Sequence, residues 1–279
     1  MKFISCILWR CLLFSFCLCL FLPGHSQAVT IFPTRVVMND KDRTAQVEIV
    51  NSGTETESYS IQLERKRMTE TGEFKVISGD ALPGELFSDQ IVRYSPRLIT
   101  LAPGAGQTIR LMLKMPDGHP EGEYRSHLSV NRIQDASNVL SQTKQEKEPT
   151  DINIKLTAYA NIAIPIIVRH GKLNAQLEIK DAILHPGAGK EPPVVEFTMY
   201  RTGTMSVYGN IAVTLVAENG KTEQVAAVNG VAVYVPNATR KARLTLRGKD
   251  NLLNKGALCV TFTEHGADKA MAEAIIPIR

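Results

Sequence analysis

The chain has 279 residues, of which 44% are hydrophobic, 22% charged and 6% aromatic, enough apolar material for one large or two ordinary packed cores. This composition excludes a disordered or fibrous chain. Lys and Arg number 32 against 28 Asp and Glu, and the formal charge of +4 is too mild and too dispersed for a dedicated nucleic-acid binder.

At the N-terminus, Lys2 and Arg10 precede an apolar run from Cys11 to Leu22, which Pro23-Gly24 breaks. Ser26-Gln27-Ala28 then supplies the small-x-small pattern of a secretory cleavage site, so residues 1–28 are expected to be a removed signal peptide and the mature chain to be exported. No later segment approaches the roughly 18 consecutive apolar residues of a membrane-spanning helix. Cys6, Cys11, Cys17 and Cys19 leave with the signal. Cys259 alone remains, so no internal disulfide is expected and stability must come from burial.

Strand signals dominate the mature chain. Thr44–Val50 alternates with period 2 and ends at the turn residues Asn51-Ser52-Gly53. Further runs are Ser58–Arg67, Phe74–Ile77, Ile91–Ser95, Leu98–Leu101, Gln107–Met115 and Tyr124–Ile133, separated by Pro83-Gly84, Pro103-Gly104 and Asp117-Gly118. A polar stretch from Gln134 to Asp151 reads as a surface loop. After Arg169-His170-Gly171 the pattern restarts with Leu173–Leu184, Val194–Arg201, Gly209–Ala217, Gln224–Val235, Ala242–Leu246, Leu258–Thr263 and Ala274–Ile278. Ala267–Ala274 reads equally as a weak helix or as a turn into the last strand. Many short strands with regular turns predict an all-β chain of two immunoglobulin-like β-sandwich domains in tandem, spanning 29–168 and 169–279.

One segment is unusual. Ile152, Ile154, Leu156, Ala158, Ala160, Ile162, Ile164 and Ile166 are apolar at every second position over about 15 residues, a strand of roughly 50 Å where a sandwich needs about half. It either lies wholly in its own core or completes that core with one part and offers the rest to a partner.

Enzymatic and metal readings find little support. Cys259, His265 and Met271 follow the order of a blue-copper ligand set, but their gaps are long for one compact loop and Cys259 reads as a buried strand thiol. Ser126 and His127 are adjacent on a strand, point to opposite faces and cannot act as a nucleophile–base pair. No hydrolase, zincin, phosphate-loop or dinucleotide motif occurs, so no enzyme, cofactor or metal is expected.

Ala28–Val37, with Thr34-Arg35 followed by Val36-Val37, resembles the opening strand of PapD-like periplasmic pilus chaperones. Leu101-Ala102-Pro103-Gly104, the Gln107–Leu111 strand, and Gly122-Glu123-Tyr124-Arg125-Ser126 with Asn131 resemble three further motifs of that family, in its order. The similarity covers residues 28–169; beyond them it extends only to size and strand content. The resemblance implies a chaperone of the chaperone–usher pathway, with pilin subunits and an outer-membrane usher as partners and possible self-association through the donated strand. Such a chaperone lends an alternating strand to an incomplete immunoglobulin-like subunit. Backbone ladders give general affinity and alternate side chains fill pockets. Five buried side chains contribute roughly 8–15 kcal/mol before ordering costs. Ile152, Ile154, Leu156, Ala158 and Ala160 are the expected inserted row, with Ile162 and Ile164 continuing the donor strand toward the chaperone's own core.

The resemblance also implies that Arg35 holds the subunit's terminal carboxylate. Best-known members pair this Arg with a Lys near the end of the donor strand, a position that falls here at about Pro165, and Ile162–Val168 contains no cation. Either another basic residue (Arg125, Arg132 or Arg169) completes the anchor, with Arg125 the residue named beside Arg35, or the anchor is Arg35 alone; Arg125 also stands where the family's signature strand usually has Glu before the Ser. Both departures indicate a divergent branch. A secreted carbohydrate- or surface-binding sandwich is the alternative; it would want exposed aromatics, yet the single Trp lies in the signal segment.

Overall fold

A computed structural model describes residues 29–133, 161–187, 191–247 and 256–278. These residues build two β-sandwiches in tandem. In the first, β1 (Val29–Phe32), β3 (Thr44–Asn51), β9 (Gly106–Leu113) and β7 (Val92–Ser95) form a four-stranded sheet in that order. Facing it is a five-stranded sheet of β2 (Val36–Asn39), β11 (Ile162–His170), β10 (Gly122–Arg132), β4 (Glu57–Glu64) and β8 (Leu98–Leu101). Alternate residues of both sheets close the core: Val47 and Ile49, Ile109 and Leu111, Leu128 and Val130, and Ile164, Ile166 and Val168 are all buried there.

The opening segment serves both sheets. β1 pairs antiparallel with β3, Phe32 opposite Glu48. Pro33 then interrupts the ladder, having no N–H to donate. β2 enters the other sheet parallel to β11, with Val36 level with Ile166 and Met38 level with Val168. The single opening strand expected over Ala28–Val37 is thus two strands in different sheets. The expected Ser58–Arg67 run also divides, at Arg65: β4 stays in the sheet, and β5 (Lys66–Met68) leaves it to pair with β6 (Phe74–Val76) as a separate hairpin.

The second sandwich has the three-plus-four arrangement of an immunoglobulin-like fold. β12 (Ala175–His185), β13 (Val194–Gly203) and β16 (Thr239–Thr245) face β15 (Thr222–Val233), β14 (Val207–Ala217), β17 (Gly256–Glu264) and β18 (Ala270–Ile278). Its core is built on Phe262, Met199, Ile211 and Leu258. The helical alternative for Ala267–Ala274 falls: Ala267 N–H bonds to Glu264 C=O in a turn, and β18 begins at Ala270, ladder-paired to Thr263.

Two features tie the sandwiches together. Met68 and Ile167, contributed by the first, are buried in the apolar core of the second. Between β11 and β12 the chain turns at Gly171, whose φ of +79° suits glycine and where a Cβ would stand 2.3 Å from the Glu121 side chain.

Candidate functional site at the domain junction

The site is written on one face of β10. Tyr124, Leu128 and Val130 point into the first core, while Glu123, Arg125, His127 and Ser129 alternate with them onto the opposite face. All four are buried. The register sets Glu123 against Arg169 of β11, Arg125 against Ile167 and His127 against Pro165. Because Ile166 also pairs with Val36, continuing the parallel ladder one residue back brings Arg35 level with Pro165. Arg35 and His127 therefore flank the position at which the family resemblance would place a Lys, and Arg125 lies two residues along the same face.

Each cation implied by the resemblance has a distinct setting. Arg169 Nε donates to Glu123 at 3.1 Å and its Nη2 to the Ser206 carbonyl at 3.2 Å. Glu123 also accepts from the Ser206 N–H at 3.1 Å and from the Ser206 hydroxyl. Ser206 Oγ in turn receives the Val235 N–H at 3.0 Å. This buried knot joins the domains and occupies both the carboxylate and Arg169. Arg132 is ion-paired with Glu57 at the far end of β10.

Arg35 and Arg125 are the remaining pair. The Arg35 guanidinium carbon lies 4.3 Å from the Tyr208 ring centroid and 5.6 Å from that of Tyr234, and Nη1 reaches the Tyr234 hydroxyl at 3.5 Å. Arg125 packs on the same Tyr234 ring at 4.6 Å, gives Nη1 to the Lys66 carbonyl at 3.2 Å and has no partner for Nε among the described residues. Arg125 is only 5% exposed. Among the described residues neither guanidinium forms an ion pair. Burial, the largest influence on each, lowers both from the ordinary arginine value; Arg169 adds to the lowering at Arg35, and Arg35 to that at Arg125. Guanidinium groups stay charged despite such shifts. The two cations share one tyrosine ring, and Arg35, though not Arg125, lines an open groove of about 470 Å³ together with Phe32, Arg169, Tyr208, Glu264 and His265. An anion entering that groove would meet charge-assisted donors that water screens poorly.

The β5–β6 hairpin covers the other side of Arg125. Phe74 lies 5.7 Å from the Arg125 guanidinium, edge-on to His127 at 4.6 Å between centroids, and 5.8 Å from Tyr234. The hairpin is strapped to the second domain: Lys241 N–H bonds to Glu70 C=O at 2.7 Å and Asn237 Nδ2 to Met68 C=O at 2.9 Å. Its turn is Gly72, at φ +91°, where a Cβ would sit 2.3 Å from the Arg240 guanidinium.

Of the expected donor strand, Ile152, Ile154, Leu156, Ala158 and Ala160 lie outside the described residues. Ile164 is buried in the first core with Ile166 and Val168, and Ile162 packs partly buried at its edge. Cys259 gives its thiol hydrogen to Glu273 at 3.3 Å on the outer face of β17, Met271 packs toward the second core, and His265 lies 5.6 Å from the Tyr208 ring. These three groups do not converge. Ser126 lies on the core side of β10, where its hydroxyl accepts the N–H groups of Ser88 and Asp89, away from His127.

Sequence reasoning missed Tyr208 and Tyr234, which come from the other domain and carry no local signal. It also missed the Glu123–Ser206 contact, Phe74 and the setting of His127. Charged and polar residues at every second position of an otherwise apolar strand were the available clue for the β10 row.

No protein-family model matches the sequence, and no curated protein matches it. Among solved structures, the class 5 fimbriae chaperone CfaA is 15% identical, with 90% of this chain and 99% of that one covered at a TM-score of 0.44. The CupB2 chaperone of Pseudomonas aeruginosa is 11% identical, covering 90% and 100% at 0.45. A chain of the chaperone–tip adhesion subunit pre-assembly complex CsuC–CsuE of Acinetobacter baumannii is 10% identical, covering 89% and 98% at 0.45.

Proposed function

We propose that this chain is a periplasmic chaperone that binds fimbrial or pilus subunits and hands them to an outer-membrane usher. The observation that carries the reading is the pair Arg35 and Arg125, desolvated against one tyrosine and without ion-pair partners among the described residues. Leaving a buried and a half-buried cation side by side is costly unless an anion completes the site. The chain-terminal carboxylate of a subunit fits that role: it is planar, anionic and matched to guanidinium geometry. β11 runs beside both cations, and upstream of it in sequence lies the alternating row Ile152–Ala160. Anchoring a subunit's end here would set the register in which that row fills the subunit's groove.

The test is periplasmic coexpression with the subunits encoded beside its gene, followed by mass spectrometry of the purified complex. The wild-type chain is expected to recover a one-to-one complex. Arg35→Ala is expected to fold normally and to recover almost none, because a charge-assisted anchor is worth about 1.5–3 kcal/mol. Undiminished recovery would remove Arg35 from the site.

A further inference from the structure

The carboxylate anchor leaves one group unexplained. His127 is 2% exposed, and neither Nδ1 nor Nε2 has a hydrogen-bond partner among the described residues. Arg125 Nε, two residues away on the same face, is also buried and has no partner among the described residues. Buried polar atoms nearly always find partners, so three orphans side by side mark a place where something else binds. Phe74, whose ring packs against both side chains, is itself 41% exposed and belongs to a surface hairpin, so it is the exposed ring over the orphans.

We propose that Arg125 Nε and His127 form an inner subsite beneath Phe74 that takes one oxygen of the partner's terminal carboxylate, making His127 a binding residue and Phe74 the cover that must tilt aside. The inference rests on the anchor reading and extends it. The geometry suits a carboxylate: Arg125 Nε and one imidazole N–H are both donors, and the group that would satisfy them must accept twice. Neutral imidazole supplies that donor without adding a third charge. The charged groups acting on His127 are Arg125 on its own strand and Lys66 on β5, with Glu64 of β4, its ladder partner, bound to Lys66 at 3.2 Å and to Ser129. Burial first, then the two cations, lower its pKa to about 3. A carboxylate bound beside it would raise that value, since an opposite charge favours the protonated form. A histidine that merely fills space would not respond.

The experiment uses the full mature chain labelled at histidine nitrogens, with N-acetylglycine as the probe and N-acetylglycinamide as its uncharged control. N-acetylglycine is expected to move both imidazole nitrogen resonances of His127 and to raise its pKa by about one unit or more; the amide is expected to do neither. Phe74→Ala should enlarge the response several-fold by uncovering the pair, and His127→Leu should weaken N-acetylglycine binding at the groove several-fold. A probe that binds in an Arg35-dependent way while the His127 resonances stay fixed, in wild type and Phe74→Ala alike, overturns the inner subsite and leaves the anchor standing. Absence of any Arg35-dependent binding overturns both.

Discussion

His127 is buried beside two cations, with no hydrogen-bond partner among the described residues, and its burial makes it a source of acid sensitivity. Its pKa lies near 3, against an ordinary value of 6.5, because burial and then Arg125 and Lys66 disfavour the imidazolium. The unfolded chain therefore binds the extra proton between those values. The stability contributed by neutral His127 is complete above about pH 6.5 and is lost as pH falls from 6.5 toward 3. His127→Leu should flatten this acid limb: urea midpoints at about pH 7.5 and about pH 4.5 are expected to differ less in the variant than in wild type. Glu123 is the opposite case, a buried carboxylate whose bonds to Arg169 and Ser206 are all satisfied. Glu123→Ala strands Arg169 and the Ser206 N–H, and the expected loss is about 3–5 kcal/mol, read as a lowered urea midpoint.

Among elements, β11 lies where two sandwiches and the proposed donor row meet. Ile164 and Ile166 fill the first core, Ile167 the second, and Arg169 holds the junction. Ile166→Asp should leave little folded protein, since a charge would enter a fully closed core. Ile154→Asp, placed in the proposed inserted row, should abolish complex recovery while barely moving the melting temperature of the free chain. Equal unfolding by both variants would assign Ile154 to the chain's own core. Period-2 alternation made most strands legible, because Val47 and Ile49 or Leu258 and Val260 sit in half-buried strands whose pattern is local. Three breaks were not legible. Pro33 moves the chain between sheets, the divide at Arg65 sends a hairpin outward, and the start of β18 at Ala270 depends on pairing with β17. The first is decided by a strand distant in sequence, since Val36 pairs with Ile166; the other two are local hairpins whose register the residue pattern left open. The site followed the same division. Arg35 and Arg125 could be named from short motifs, whereas their common contact, Tyr234, sits 109 residues beyond Arg125 on another domain.

For the molecule as a whole, the junction fixes the angle at which two domains present one cleft. Met68 and Ile167 pack across it, and Glu123 with Arg169 bonds to Ser206. The β5–β6 hairpin adds Lys241 N–H to Glu70 C=O. The domains should consequently unfold together in calorimetry, and Ser206→Ala should separate the transition into two by weakening the knot from the far side. The central claim is that this cleft binds a chain-terminal carboxylate through Arg35. Its most direct measurement is a double-mutant cycle using a peptide of a subunit's last strand, made with a free carboxylate or as the amide, against wild type and Arg35→Ala. Amidation should weaken wild-type binding about ten- to a hundredfold and Arg35→Ala distinctly less, because Arg125 alone then holds the carboxylate. An equal loss in both proteins would contradict the account.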